Sequence, residues 1–150
     1  HPVAQGSMEL DAQQDHIALR VRVSNEQVFV AAAFATDVPA NSDAMWPAHG
    51  AYLLSKVEIK ADGTVLAGTF IKNEPPTDRT VRGFTTYELR YQLAAAPREL
   101  RLRQTLLNEI AYAPGNPWEA TFSVRATAGG TLIRDAALFT HREPLVLALT

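Results

Sequence analysis

Apolar and polar positions alternate one by one along residues 16–23, 87–93, 99–106 and 118–126. Successive side chains of a strand point to opposite faces of a sheet, so a period of two predicts strands with one buried face. The same alternation predicts that one set of side chains is buried together in a core: Leu19, Val21, Leu89, Tyr91, Phe122 and Val124.

Glycine and proline mark the turns between these strands. Residues 61–63 (Ala-Asp-Gly) predict a hairpin that is followed by a strand over residues 64–71, and the Gly-Gly pair 129–130 predicts a second hairpin. Residues 114–117 (Pro-Gly-Asn-Pro) predict a rigid turn that leads into the strand beginning at Trp118, whose register indicates a core residue.

Two segments break the alternation and predict short helices. Residues 24–27 (Ser-Asn-Glu-Gln) have the spacing of a capping box, in which the first and last side chains satisfy free N–H groups at a helix start. The following Val-Phe-Val, residues 28–30, also suits a strand. Pro47 suits the first turn of a helix, which predicts a helix over residues 47–56. One side of that helix would carry His49, Tyr52, Leu53 and Lys56.

The whole pattern predicts one mainly β domain over residues 1–150. A chain of 150 residues can bury enough surface to fold without a disulfide or a structural metal. Seven or eight strands with one or two short helical insertions indicate an antiparallel β-sandwich of the immunoglobulin-like kind. Residues 73–80 contain a Pro-Pro pair and are predicted to form an exposed loop.

Composition removes several classes of function. The net charge is −2 with mixed signs and no basic run, so we expect no nucleic-acid partner. The chain has no cysteine, which excludes a thiol nucleophile, an iron–sulfur cluster and a cysteine zinc site. The acidic residues are scattered and no hydrolase or phosphate-loop motif occurs, so we predict no catalytic residue and do not favour an enzyme.

The sequence starts with His1 and Pro2, and two explanations compete. One is removal of a signal peptide before His1. The other is the remnant of a tag, because residues 6–8 (Gly-Ser-Met) resemble such a junction. Residues 1–5 match no common tag ending, so we favour the first explanation and expect a periplasmic or secreted protein.

A free N-terminal histidine is a metal chelator, because the α-amine and the ring of His1 give two nitrogen donors. A second imidazole completes the T-shaped set of three nitrogens that is called a histidine brace in copper proteins. Such donors suit Cu(II), which has the highest affinity among the divalent ions. Pro2 has no N–H that could compete as a ligand. The sequence therefore predicts one copper ion at His1, and the alternative is a terminus that is simply disordered.

Three other histidines could supply the second imidazole. We favour His49, because it lies beside aromatic residues on a segment that interrupts the sandwich, where sites are often built. His141 is the second choice and also fits an ordinary loop residue. His16 starts a strand on its arginine-bearing face and reads as a solvent-exposed turn residue. Tyr52 is a candidate axial ligand or ligand partner, although a core tyrosine is the more common case.

Five short phrases over most of the chain carry a resemblance to a known family: residues 1–2 with 5–6, 28–31, 52–54 with 61–63, 114–120 and 138–144. They resemble the exported N-terminal region of bacterial membrane proteins of the hydrogenase/urease accessory (nickel-incorporation) family. The resemblance implies a periplasmic β-sandwich ahead of a membrane domain, with a link to transition metals. Through His1 alone, the chain also resembles histidine-brace proteins such as lytic polysaccharide monooxygenases and copper-resistance chaperones.

Three hypotheses on function follow. The first is copper capture or delivery through His1 and a second histidine. The second is a metal-free interaction or sensor module, which presents its loops to a partner or to the membrane domain of its own protein. The third is a copper-dependent oxidase that acts on polysaccharide, and it ranks last because the chain is short and its sequence indicates no aromatic binding surface.

Overall fold

The computed structural model describes residues 3–149, which form two packed β-sheets, a small two-stranded sheet and two helices. The predicted mainly β sandwich with two short helical insertions is confirmed. In chain order the elements are β1 (Val3–Ala12), β2 (His16–Ser24), α1 (Asn25–Phe34), α2 (Met45–Lys56), β3 (Val57–Ala61), β4 (Thr64–Val65), β5 (Gly68–Glu74), β6 (Phe84–Gln92), β7 (Glu99–Gln104), β8 (Ala111–Ala113), β9 (Asn116–Pro117), β10 (Glu119–Ala128), β11 (Thr131–Phe139) and β12 (Leu145–Ala148).

The larger sheet has six strands in the order β11-β10-β1-β2-β6-β5, and the smaller one has four in the order β12-β7-β3-β4. Strands β8 and β9 pair only with each other. Within residues 3–149 every pair of strands is antiparallel except β1 and β10, which run parallel. The sheet is therefore mixed at its centre, and β1 and β10 start at the same end.

The six side chains that the alternation assigns to the core are all buried in one cluster. The cluster lies between the inner faces of the two sheets, where apolar residues of both sheets meet. Both predicted hairpins are also confirmed. Asp62 and Gly63 have φ of 48° and 84°, and Gly129 and Gly130 have φ of 57° and 83°, the left-handed values that a tight hairpin turn needs.

Strand β1 lies between β2 and β10, and residues 6–8 are an integral part of it. Met8 is buried in the core. A Cβ at Gly6 would lie 2.9 Å from a carbon of the Phe122 ring and 2.3 Å from the Arg22 carbonyl oxygen, so only glycine fits there. The three residues that resemble a tag junction therefore belong to the middle of the sheet.

The predicted strand over residues 64–71 is wrong, because the chain changes sheets within it. Val65 ends β4 in the four-stranded sheet, and Gly68 starts β5 in the six-stranded sheet. A Cβ at Gly68 would lie 2.7 Å from the Tyr91 ring, so the glycine allows the crossing chain to come close to that ring.

Both predicted helices are confirmed. The Ser24 side chain caps α1 by accepting a hydrogen bond from the Gln27 backbone N–H at 3.4 Å. Helix α2 starts at Met45, two residues before the predicted start at Pro47. Neither helix in the described part of the chain is long and apolar enough to span a membrane.

Opposite charges alternate across the outer face of the six-stranded sheet. The ion pairs in this row are exposed and loose, with Arg20 and Lys72 at 3.9 and 4.0 Å from Glu88, so each adds little stability. Facing residues of opposite charge support the register, since a slip would oppose like charges. From β11 to β5 the row of register partners is Asp135, Arg125, Glu9, Arg20, Glu88 and Lys72.

Candidate metal centre

The structure places His49 and His141 in different surroundings. His49 lies on α2, and its ring packs 5.4 Å from the ring of Tyr87, a residue of the inner face. His141 follows β11, and its Nε2 lies 3.8 Å from Glu119 Oε1. Glu119 is in phase with the exposed residues Ser123 and Arg125 of β10. The two imidazoles thus have different neighbours, aromatic rings of the core for His49 and a carboxylate for His141.

His49 is enclosed in the core. Its ring lies 5.4 Å from the Tyr52 ring, and the Gln27 side-chain amide donates a hydrogen bond of 2.8 Å to its Nε2. Burial lowers the pKa of His49 to about 3, so the ring is neutral at physiological pH. Nδ1 then carries the proton and has no hydrogen-bond partner. The lone pair that a metal would use is therefore already engaged by Gln27.

Tyr52 has a structural role in the same region. Its hydroxyl donates to Glu109 Oε1 at 2.8 Å and accepts from the backbone N–H of Leu107 at 2.9 Å. Leu107 has φ of 67°, in the left-handed region that a leucine rarely adopts. Glu109 also pairs with Lys56 Nζ at 2.9 Å. The Tyr52 hydroxyl thus holds a strained, buried turn against α2.

We predict that Tyr52→Phe lowers the free energy of unfolding by about 1–3 kcal/mol, because it leaves the buried Leu107 N–H without an acceptor. Chemical denaturation followed by fluorescence measures this change. Tyr112→Phe is the matched control, because Tyr112 is 63% exposed and its substitution should leave the midpoint unchanged. Equal midpoints for both variants would contradict the role assigned to the Tyr52 hydroxyl.

Glu119, His141 and Arg142 form a cluster that we call the Glu119 corner. The Glu119 side chain is only 8% exposed, and Arg142 Nη2 donates a hydrogen bond of 2.7 Å to its Oε1. A charge-assisted bond of this length fixes the carboxylate and compensates for its burial. The corner therefore joins the first residue of β10 to the loop after β11.

His141 has a ring nitrogen without a partner in this corner. Its Nδ1 is buried and makes no hydrogen bond, while its Nε2 faces the Glu119 carboxylate. In a neutral imidazole one nitrogen carries the proton, and a carboxylate favours the proton on the nitrogen that faces it. Nδ1 is then a bare lone pair. In metal-binding histidines the second ring nitrogen donates a hydrogen bond to a carboxylate, whereas here Nε2 lies 3.8 Å from Glu119 Oε1, which is longer than a hydrogen bond.

The Glu119 corner lies at the end of the six-stranded sheet at which β1 and β10 both start. Val3 is the register partner of Glu119 in the parallel pair β1–β10. His1, the central residue of the predicted site, lies outside the described residues. Among residues 3–149 there is no group of three or more His, Cys, Asp or Glu side chains that could hold a metal ion. A metal site at this corner would therefore need donors from beyond that range in addition to His141.

The remaining candidates lie elsewhere. His16 is at the opposite end of β2, where its Nδ1 lies 2.6 Å from Asp15 Oδ1. Trp118 is only partly buried, just before β10, and packs edge-on against Tyr112 at 5.6 Å. The prediction that Trp118 is a core residue is therefore wrong, because its ring packs against the core without lying inside it.

Sequence reasoning missed Glu119 and Arg142. In the sequence Glu119 resembles an ordinary polar position of an alternating strand, and its partner Arg142 lies 23 residues away, so no local pattern indicates the pair.

No protein-family model matches the chain, and no curated protein matches it.

Proposed function

We propose that this chain is a periplasmic or secreted copper-binding domain that captures or delivers one copper ion through His1 and His141. The observation that carries the proposal is the pairing of Val3 with Glu119, beside which a half-buried His141 has an Nδ1 without a hydrogen-bond partner. This geometry favours His141 over His49 as the second imidazole.

The reach of the chain fits this assignment. Two residues span at most about 7 Å, so His1 can extend from Val3 to the neighbourhood of the Glu119 corner. The site would combine the α-amine and ring of His1 with the His141 ring. Three nitrogen donors suit copper better than calcium or magnesium, which prefer oxygen ligands. Glu119 would orient the His141 ring, and Arg142 would hold Glu119 in place.

A Cu(II) titration of the chain with a free amine at His1 tests the proposal. We expect one equivalent to bind, with an affinity that falls on acidification because protons compete for the amine and the imidazoles. One added residue before His1 converts the amine to an amide and removes a ligand, so affinity should fall by well over about tenfold. Paramagnetic resonance should show nitrogen coupling that changes in the extended chain.

Two histidine variants identify the partner. His141→Ala should weaken Cu(II) binding and alter the nitrogen coupling, because it removes the proposed third donor. His49→Ala is the matched control and should leave the affinity of the folded protein unchanged. If His49→Ala alone weakens binding, His49 is the partner. If the extended chain binds Cu(II) as tightly as the native one and gives the same spectrum, the brace is wrong.

A metal-free interaction module is the second candidate, and the β8–β9 hairpin favours it. This hairpin lies directly before Glu119 and exposes 63% of Tyr112, which packs on Trp118. Exposed aromatic residues on a turn are typical of binding surfaces. Under this hypothesis Tyr112→Ala would abolish binding to a membrane partner while the extended chain would bind that partner normally.

A further inference from the structure

A cleft of about 580 Å³ opens between the end of α2, strand β3 and the start of β5. None of the three residues of the Glu119 corner lines this cleft. Its volume lies within the range of small-molecule binding sites, roughly 300–1,000 Å³. The cleft is therefore a second place on the molecule where a ligand of modest size would fit.

The wall of this cleft is positively charged. Lys56, Lys60 and Arg103 line it, against one carboxylate, Glu58. Lys56 is already paired with Glu109, and Lys60 lies 3.9 Å from Glu58, a loose contact. The Arg103 guanidinium makes no ion pair or hydrogen bond within residues 3–149. The wall thus has a cationic group with five N–H donors that is in no ion pair within residues 3–149, although Glu58 is its partner in the register of the sheet.

The register of the sheet concentrates this charge further. Lys60 of β3 is the direct partner of Arg101 of β7, a like-charged pair that is unfavourable, whereas Glu58 of β3 faces Arg103 of β7. The outer face of the six-stranded sheet has the opposite arrangement, since each charge in its row faces one of opposite sign. Lys60, Arg101 and Arg103 against Glu58 therefore leave an excess of positive charge on the four-stranded sheet, next to the cleft.

The other side of the cleft is apolar. Leu54, Leu66 and Tyr91 line it. The Tyr91 hydroxyl donates to the Val57 carbonyl oxygen at 3.0 Å, so the residue presents its ring and not a free donor. A ligand that fits this cleft has an anionic head for the basic wall and an apolar part for the leucines.

We propose that the cleft binds a small organic anion of the phosphate monoester class. Its phosphate would contact Arg103 and Lys60, and its apolar group would pack on Leu54 and Leu66. A guanidinium fork together with an ammonium group suits the geometry and the double charge of such a phosphate. This site does not depend on copper, so either proposal can be refuted without affecting the other.

Phenyl phosphate is the probe, and amide chemical shifts of the whole chain at low salt are the measurement. We expect saturable shifts at Arg103, Lys60 and Leu66 that phenol does not cause and that added salt weakens. Arg103→Gln should weaken binding by at least about tenfold, the loss expected for one charge-assisted contact. Lys72→Gln removes a cation from the other sheet and should leave binding unchanged. The chain extended before His1 should bind phenyl phosphate like the native chain.

Three results would overturn the proposal. The first is the absence of saturation by phenyl phosphate, and the second is equal weakening in Arg103→Gln and Lys72→Gln. The third is binding to vesicles that contain phosphatidylglycerol without any response to phenyl phosphate, which would assign the basic wall to a membrane surface. A response to both probes that Arg103→Gln weakens in parallel would support phosphate recognition and identify a lipid headgroup as one source of it.

Discussion

Acidification from pH 7 to pH 4 should lower the free energy of unfolding by about 3 kcal/mol through His49 alone, with about 2 kcal/mol lost by pH 5. Burial lowers the pKa of His49 in the folded protein to about 3, against a reference value of 6.5. The unfolded chain therefore binds a proton at a pH where the folded chain does not. The stabilisation is fully present above about pH 6.5 and is lost progressively as the pH falls toward 3.

Carboxyl groups act in the same direction but at lower pH. A hydrogen bond with His16 lowers the pKa of Asp15, and hydrogen bonds from Thr80 lower that of Asp78, both below the ordinary value of 3.8. Burial works to raise the pKa of Glu109, but the hydrogen bonds from Lys56 and Tyr52 bring it below 4.5. These groups protonate mainly below about pH 4.5, so they contribute little to the change in stability between pH 5 and pH 6.5.

His49→Gln isolates the histidine. Glutamine can still accept the hydrogen bond from Gln27 but does not titrate. The free energy of unfolding of the variant should therefore change less between pH 7 and pH 5 than that of the native chain. Urea denaturation at several pH values gives the free energy of unfolding of each protein as a function of pH. The difference between the slopes of the two curves is the contribution of His49. Parallel slopes for the two proteins would show that the His49 ring is not buried as a neutral group.

Much of this fold is predictable from local sequence, because an alternating strand shows its buried face within a few residues. The strands around Leu19, Leu89 and Phe122 follow from that pattern, and the Gly63 and Gly130 turns follow from backbone chemistry. A capping box is equally local, so the start of α1 at Ser24 is predictable as well.

Strand β1 is the longest element that the sequence analysis missed. Its inward positions include Ala4, Gly6 and Ala12, whose small side chains give almost no hydrophobic signal. Position 6 is a glycine because the Phe122 ring and the Arg22 carbonyl oxygen occupy the space in front of it. That ring lies in β10, more than a hundred residues along the chain, and only the folded structure reveals the contact.

The candidate site is likewise only partly predictable from the sequence. The nitrogen donors of histidine are a property of the residue type, and the sequence alone identifies His49 and His141. Their surroundings, aromatic rings for His49 and Glu119 for His141, depend on the register of β10 with β1 and on the packing of α2. Glu119 is buried for the same reason. Local patterns carry no information on such contacts, so the choice between the two histidines needs the structure.

The second large effect concerns Phe122. We predict that Phe122→Ala lowers the free energy of unfolding by about 3–5 kcal/mol, the cost of removing a fully buried phenylalanine. Phe122 is 2% exposed and faces Phe139 across the sheet, and its ring fills the space in front of Gly6. Glycine has no side chain that could move into the cavity, so relaxation is limited and the loss should lie in the upper part of this range.

Urea denaturation at pH 7 measures this loss as a lower midpoint with an unchanged slope. Phe34→Ala is the matched control, because Phe34 is 73% exposed at the end of α1 and its truncation should change stability by no more than about 0.5 kcal/mol. Equal midpoints for the two variants would refute the core position of Phe122. A loss confined to Phe122→Ala would instead show that β10 is held against β1 by this ring. Because that contact aligns Val3 with Glu119, the stability of the proposed copper site depends on it as well.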